Sequence, residues 1–413
     1  MEDTSSGSGP HVLRWLNASA VLGVVRAADQ ATLSDLMEAT GLTRPTVAQA
    51  VATLERAGWI EILRNEADGG ARRIGRPAQR VRFRAEAGHL VGVDVGPHKT
   101  MAIVTDLAGT VLAQVRHEID GVHQGGELAT DVLALTESAL GEAGVAPESV
   151  AAIGVGTPGV VADGEVLMAP SIPGWAGNRL GADLTTRFDC PVLIDNDVNL
   201  AVLAENWHRR GGPEGTLAFV HWGARLGAGL LIGGRLHRGH AASAGEIGFL
   251  DLDEEPRERL STDRMGPLES IAGAEAIAAL AESVVRRRRT PLRELLAART
   301  DPLDVSPIFH CAAEGDPVAL SIVDTVAARF ARGLAPLFLL LDPDLVIIGG
   351  GVSRGGPVLL DAVERHVRRR TLVPPRLEMS ELGDAAVALG GVRLALDRTE
   401  ETLFSAAGLS AEG

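Results

Sequence analysis

The sequence predicts an α/β protein preceded by a winged helix-turn-helix, and three observations carry that reading. Apolar strands that end in glycine turns and open onto helices recur through residues 85–413, at Gly96, Gly156 to Gly159, Gly223 to Gly227 and Gly349 to Gly351. Turns of this kind let backbone N–H groups approach a ligand. Residues 11–84 instead carry three helical periodicities followed by an arginine-rich hairpin pattern. Finally, Val192 to Glu205 reads as a short buried strand running into a helix, with Asp195, Asn196 and Asp197 at the junction. Open α/β folds place their ligands at such junctions.

Composition bounds the rest. A chain of 413 residues, 46% hydrophobic and 23% charged, is ordinary for a soluble protein of two or three domains. No apolar run reaches the roughly 18 residues that span a bilayer, and Met1 to Pro10 is polar and acidic rather than a signal peptide. A cytoplasmic protein is expected, nucleoid-associated when bound to DNA. Cys190 and Cys311 are the only cysteines, which excludes a disulfide framework and a cysteine zinc cluster, and both are expected to be buried. The net charge of -15 hides an asymmetry: residues 1–84 hold 11 arginines against 9 acids, leaving -17 for the remainder. Basic character is concentrated at one end.

In order along the chain, residues 1–10 are expected to form a disordered tail. A helix from Val12 to Ala28 is predicted to bury Leu13, Leu16, Ala20, Val24 and Val21. Thr32 with Asp35 three residues on signals a second helix, burying Leu33, Leu36 and Met37 and ending at Gly41. Thr43 is predicted to cap a third helix, with Pro45 in its first turn and Val47, Val51 and Leu54 inward. Its opposite face carries Arg44, Thr46, Gln49 and Thr53, short polar groups and an arginine of the kind that a helix-turn-helix presents to the major groove. Trp59 to Leu63 and the alternation of Arg80, Arg82 and Arg84 with Val81 and Phe83 then predict a basic hairpin. Its arginines, including Arg64, Arg72, Arg73 and Arg76, would neutralise phosphates, while Arg44, Thr46 and Gln49 would read bases. A three-helix protein-interaction module with a solvated hairpin is the alternative.

Beyond residue 84, strands are predicted at Leu90 to Val95, Met101 to Thr105, Val111 to Val115, Val150 to Val155, Val192 to Ile194, Leu217 to Trp222, Ala228 to Ile232 and Leu345 to Ile348. Leu334 to Leu341 is predicted to be core. Arg286 to Arg289 and Arg368 to Arg370 read as solvated helix faces. Asp197 suits either a general base toward a hydroxyl or a simple hydrogen-bond acceptor, and capping of the helix by Asp195 or Asp197 is the plainer account.

The order of these motifs resembles the ROK family over nearly the whole chain. It comprises the winged helix, the Asp94-Val95-Gly96 strand, Gly-Thr-Pro-Gly at 156–159, Pro-Gly-Trp at 173–175, Asp-Asn-Asp-Val-Asn at 195–199, Ala-Gly-Glu-Ile-Gly at 244–248, and Asp-Pro-Asp with three glycines at 342–351. The family groups bacterial sugar kinases with sugar-responsive repressors. The resemblance implies a two-lobed actin-like, ribonuclease H-like ATPase-type sugar-binding domain over residues 85–413, behind a DNA-binding domain at 11–84. It also implies that Asn196, Asp197, Glu246 and Glu269 contact a sugar with Gly159 beside them, and that Asp197 stands where the kinases keep their base.

Departures from the kinase pattern are equally informative. The first phosphate loop of the family, Asp-x-Gly-Gly-Thr, reads here Asp94-Val95-Gly96-Pro97-His98, and proline removes a donor and fixes φ. The second, Gly-Thr-Gly, reads Gly223-Ala224-Arg225. Arg225 is expected to be exposed or ion-paired rather than a phosphate ligand. The residues at the family's zinc ligand positions are Phe249, Leu260, Thr262 and Pro267, none of them a ligand, so no metal and no cofactor is expected. Phe249 is expected to fill the vacated space, with stacking on a sugar as the other option, and Ser171 replaces a frequent asparagine. The expectation is a regulator, a repressor in particular, binding a double-stranded DNA operator as a homodimer or dimer of dimers and sensing a sugar or sugar derivative. An ATP-dependent sugar kinase with a fused DNA-binding domain is the alternative.

Overall fold

The computed structural model describes residues 10–28, 30–63, 79–119, 125–209, 215–252 and 265–405. The expected tail, the loop holding Arg64, Arg72, Arg73 and Arg76, and positions Leu260 and Thr262 lie outside the described residues.

The amino-terminal head begins with α1 (Pro10–Ala27). Its buried stripe is Ala18, Val21, Leu22 and Val25, at i, i+3, i+4 and i+7. This corrects the sequence expectation, because Leu13 and Leu16 stay 53% and 50% exposed and Ala20 faces solvent. Two apolar stripes share Val21, and packing against the third helix, not periodicity, selects between them. A two-residue strand that periodicity could not reveal, β1 (Ala31–Thr32), precedes α2 (Leu33–Thr40). The capping box forms as expected: Thr32 Oγ1 accepts from Asp35 N, and Asp35 accepts from Thr32 N at 2.8 Å.

α3 (Arg44–Arg56) buries Val47, Ala50, Val51 and Leu54. Thr43 occupies its N-cap position without a side-chain cap bond and pairs instead with the Thr46 hydroxyl at 2.8 Å. Thr53 was expected on the exposed face but is 4% exposed, with Arg56 Nη2 3.5 Å from its hydroxyl. A threonine methyl lets it join the buried stripe one turn beyond Ala50. β2 (Ile60–Leu63) and β3 (Arg80–Phe83) complete an antiparallel sheet of order β1-β3-β2.

A five-stranded sheet builds the first lobe. β4 (His89–Val95), β5 (Lys99–Asp106) and β6 (Val111–Glu118) form the predicted meander. α4 (Gly125–Ala143) then crosses over to β7 (Val150–Thr157), parallel to β4. A small hairpin of β8 (Val160–Ala162) and β9 (Glu165–Met168), then α5 (Leu180–Phe188), lead to β10 (Val192–Asn196), parallel to β7. The sheet order is β10-β7-β4-β5-β6. Alternation divides β4 between two cores: Val91, Val93 and Val95 face α4, whereas Leu90 faces the head and the last helix.

α6 (Asp197–His208) links this lobe to the second. There β11 (Leu217–Trp222), β12 (Leu226–Ile232) and β13 (Arg235–Leu236) run antiparallel. Five helices follow: α7 (Glu269–Ala272), α8 (Ala274–Val285), α9 (Pro291–Ala298), α10 (Ser306–Ala313) and α11 (Pro317–Leu341). β14 (Leu345–Gly349), α12 (Gly356–Arg368) and β15 (Leu377–Met379) give the order β13-β12-β11-β14-β15. α13 (Ala386–Thr402) returns to pack on α6, β4 and β7. Leu334 and Leu337 are core as expected, but Leu339 and Leu340 are 56% and 83% exposed. The end of α11 projects past the layer it covers before Asp342, at φ 44°, terminates it. Arg286 to Arg289 and Arg368 to Arg370 are exposed, as expected, but only Arg368 lies within a helix: the first four follow the end of α8, and Arg369 and Arg370 follow the end of α12. Both cysteines are buried, as expected.

Candidate functional site

Asn196 ends β10, and its extended backbone turns the chain into α6. Asn196 Oδ1 accepts from Val198 N at 3.0 Å and Asn199 N at 3.4 Å, so the helix cap is Asn196 rather than either neighbouring aspartate. Its Nδ2 donates to Gly159 O at 2.7 Å. Gly159 has φ 107°, and an added Cβ would lie 2.0 Å from Met168 O, so only glycine fits this turn. The cap thereby holds in place the turn that forms one wall of a cavity.

Asp195, itself buried, does not line that cavity and enters a partly exposed network instead. Asn199 Nδ2 donates to its Oδ1 at 2.9 Å, and Arg238 Nε and Nη2 donate to its Oδ2 at 2.9 and 2.5 Å. Since Arg238 lies beyond β13, this ion pair ties the two lobes together and anchors the loop that leads to Glu246.

The cavity, about 110 Å³, is lined by Gly159, Asn196, Asp197, Glu246, Glu269 and Phe249 among others. All five residues expected at a sugar site therefore share one wall-to-wall space. Asp197 Oδ1 accepts from its neighbour Val198 N, and burial raises its pKa while nearby His221 pulls it down. Burial also raises the pKa of Glu246, as do the charges of Asp197 and Glu269. Glu246 makes no side-chain hydrogen bond to another described residue. Glu269 is the opposite: it is 3% exposed and accepts from Leu226 N (3.0 Å), Gly266 N (2.7 Å) and Arg225 Nη1 (3.1 Å). Arg225 is ion-paired, as expected. Phe249 is half-buried and lines the cavity.

His221 was not singled out in the sequence. It lies on β11 and lines both this cavity and a larger cleft of about 610 Å³, and burial depresses its pKa. The available signal was an imidazole inside an otherwise apolar strand, a local inconsistency of the kind that marks sites.

In the larger cleft several polar groups are engaged by the protein itself. Gly96 N donates to Lys99 O at 2.9 Å, and Gly223 N donates to Arg225 O at 3.1 Å. Lys99 Nζ lies 3.4 Å from Asp94 Oδ2 and 3.7 Å from Asp384 Oδ1; Asp384 also pairs with Arg116 at 2.6 Å and Arg354 at 3.1 Å. Asp94 is buried, which pushes its carboxyl up to about 6. Among the described residues no group of three or more His, Cys, Asp or Glu side chains is placed to hold a metal ion, and no helix is long and apolar enough to cross a membrane.

On the head, Arg44 and Gln49 are exposed and Thr46 is half-buried against Thr43. Two of the hairpin arginines are engaged within the head. Arg82 donates to Glu61 at 2.7 Å and Glu86 at 2.9 Å, and Arg84 Nη1 donates to Gly58 O at 3.3 Å. Glu61, across the strand pair, and Glu86, just beyond it, account for the contacts of Arg82. Arg72, Arg73 and Arg76 lie outside the described residues.

Comparison with known proteins agrees with this architecture. The MarR family model matches residues 16–71. A xylose repressor of Caldicellulosiruptor bescii is 26% identical over 391 residues, 93% of this chain and 96% of that protein. A solved ROK family transcriptional regulator, a homologue of the E. coli MLC protein, superposes with a TM-score of 0.77 at 20% identity, covering 97% of this chain and 99% of that one. A ROK family glucokinase from Streptomyces griseus, solved with glucose and AMPPNP, gives 0.64 at 28% identity over 75% of this chain and 100% of that one. The ROK family model itself matches residues 90–398, three quarters of the sequence, and the chain belongs to the ROK family.

Proposed function

We propose that this protein is a DNA-binding transcriptional repressor whose kinase-like body senses a sugar. The observation that carries the reading is the joining, in one chain, of a helix-turn-helix with exposed Arg44 and Gln49 to a cleft whose Gly96 and Gly223 N–H groups already serve the protein's own carbonyls. A phosphate loop must present such donors to the nucleotide, and phosphoryl transfer depends almost wholly on that positioning and charge stabilisation. The smaller cavity keeps what a sugar needs: carboxylates at Asp197 and Glu246 with accepting capacity, and Phe249 as an apolar wall.

The DNA partner is a pseudopalindromic operator, bound by a homodimer or dimer of dimers so that two reading helices address half-sites about 34 Å apart. Arg44, Thr46 and Gln49 read bases; Arg72, Arg73 and Arg76 contact phosphates. A coupling on the order of 1 to 3 kcal/mol between sugar and operator suffices for a tenfold or larger change in DNA affinity. D-xylose and D-glucose are the first ligands to test, because similar proteins are a xylose repressor and a glucokinase.

The test selects genomic fragments with purified protein, measures their affinity by fluorescence anisotropy, and adds each sugar in turn. Release of a selected fragment by one sugar, with no ATP turnover in a coupled assay, is the expected result. The competing reading, an ATP-dependent sugar kinase with a DNA-binding head, is favoured by Asp197 lining both cavities. Turnover that disappears in Asp197→Ala establishes it in place of ours.

A further inference from the structure

The last helix runs between the two places that the proposed function must connect. Its approach carries Asp384, held at the cleft by Lys99, Arg116 and Arg354, and its first residues Ala386 and Val387 line the same cleft. Seventeen residues of α13 then span about 25 Å. Just beyond its end, Phe404 is buried inside the head. Its ring meets Trp59 edge-on at 5.0 Å and Phe83 at 5.9 Å, Arg26 lies 4.6 Å over its face, and Ser19 Oγ donates to its carbonyl at 2.9 Å. Arg26 also pairs with Glu400 at 2.7 Å. One continuous apolar core contains residues of the head, of β4 and β5, and of α13 together with Phe404.

The middle of the helix leaves no slack. A Cβ at Gly390 would fall 1.9 Å from Leu200 O of α6, and one at Gly154 would fall 2.0 Å from Gly391 O. Backbone therefore lies on backbone where α13 crosses the helix that begins at Asp197. Packed interiors of this density shift as units rather than compress.

We propose that α13, fixed to the cleft through Asp384 and to the head through Phe404, is the element that transmits the state of the ligand-binding body to the DNA-binding head. The proposal rests on the reading of head and body given above, but its test needs neither sugar nor DNA. A displacement of α6 or of the cleft wall reaches α13 across the glycine contacts. It reaches the head because Phe404, Arg26 and Glu400 link the helix end to α1, β2 and β3. A hinged linker, by contrast, would let the two parts move independently.

The experiment is a double-mutant cycle on the full chain, read by hydrogen exchange of the head-sheet amides at Ile60–Leu63 and Arg80–Phe83. Asp384→Asn, at the cleft end, is expected to speed their exchange about tenfold. In the Phe404→Leu background, which keeps the apolar filling but loses the ring contacts, the same change is expected to give less than a twofold effect. Arg26→Met, which spares every apolar contact, should attenuate it similarly. Equal acceleration in all backgrounds, or none from Asp384→Asn in the parent, overturns the proposal. Failure of the functional reading is a separate result, visible as absent DNA or sugar binding by the parent protein.

Discussion

The small cavity and the large cleft share Asp197, His221 and Arg225 yet differ in what their polar groups are already doing. In the small cavity Glu246 has no side-chain partner among the described residues, and Asp197 accepts only from its own neighbour's N–H. In the cleft, by contrast, Lys99, Arg116 and Arg354 converge on Asp384, and the two loop N–H groups bond to their own loops. A group that the protein has satisfied gains little from a ligand, because binding only exchanges one hydrogen bond for another. A carboxylate without a protein partner can take a ligand without breaking any bond of the fold. The same contrast separates Arg44 from Arg82 on the head, and it predicts where substitutions will be felt.

The largest effect is expected at Asp197. Asp197→Ala should weaken sugar binding by about 100-fold, in line with about 2 to 3 kcal/mol for a charged hydrogen bond, measured by titration calorimetry. DNA affinity without sugar should stay within about twofold. If Asp197→Ala leaves sugar affinity intact while a variant of the cleft abolishes it, the comparison between the two cavities is inverted.

On the head, the comparison predicts a contrast of direction as well as size. Arg44→Ala should cost operator affinity about tenfold or more, from about 1 to 3 kcal/mol for a base-reading arginine. Arg82→Ala should change DNA affinity by less than about twofold, because Arg82 is held by Glu61 and Glu86. Its cost should appear in thermal stability, by up to about 1 kcal/mol for so exposed a network. Anisotropy titrations and melting curves on the same two variants separate these outcomes.

Most of this frame is legible in the sequence, and the rest fails for identifiable reasons. Strands β4 to β7, β10 to β12 and β14 follow from apolar runs, whereas the short β8, β9 and β13 do not, and the capping box at Thr32 follows from local chemistry alone. The inward stripe of α1 does not, since two apolar stripes compete and tertiary contact decides. The ion pairs of Arg82 are not legible because its partners, Glu61 and Glu86, meet it only across the strand pair and the following turn. The cap at Asn196 is assigned to its neighbours because aspartate and asparagine cap equally well. Arg238 pairs with Asp195 over 43 residues, a distance at which spacing carries no information.

Inside the cleft, Asp94 offers a measurement of intermediate size. Burial raises its pKa from 3.8 to about 6 in the folded state, so ionising it opposes folding. The stability it permits is fully present below about pH 4 and is lost as pH rises through about 6. Asp94→Asn should therefore raise the melting temperature at about pH 7.5 and leave it nearly unchanged at about pH 3, below the unfolded value. The gain is on the order of 1 to 3 kcal/mol, and Lys99 still has Asp384 as partner. A variant less stable at pH 7.5 would mean that the Lys99 pair outweighs desolvation.

The smallest effect falls on Arg225, which stands in the wall between the two spaces. Its guanidinium helps to fix Glu269, but Leu226 N and Gly266 N hold the same carboxylate. Arg225→Gly should therefore weaken sugar binding only a few-fold, consistent with less than about 1 kcal/mol for a half-exposed ion pair. The substitution also brings the loop nearer the kinase pattern. If side-chain bulk alone excluded nucleotide, ATP binding should appear in Arg225→Gly. With Pro97 still fixing the first loop, and Lys99 and Arg116 still facing Asp384, none is expected. Calorimetric ATP binding by this variant would show that the cleft is blocked by one side chain rather than by the satisfaction of its polar groups.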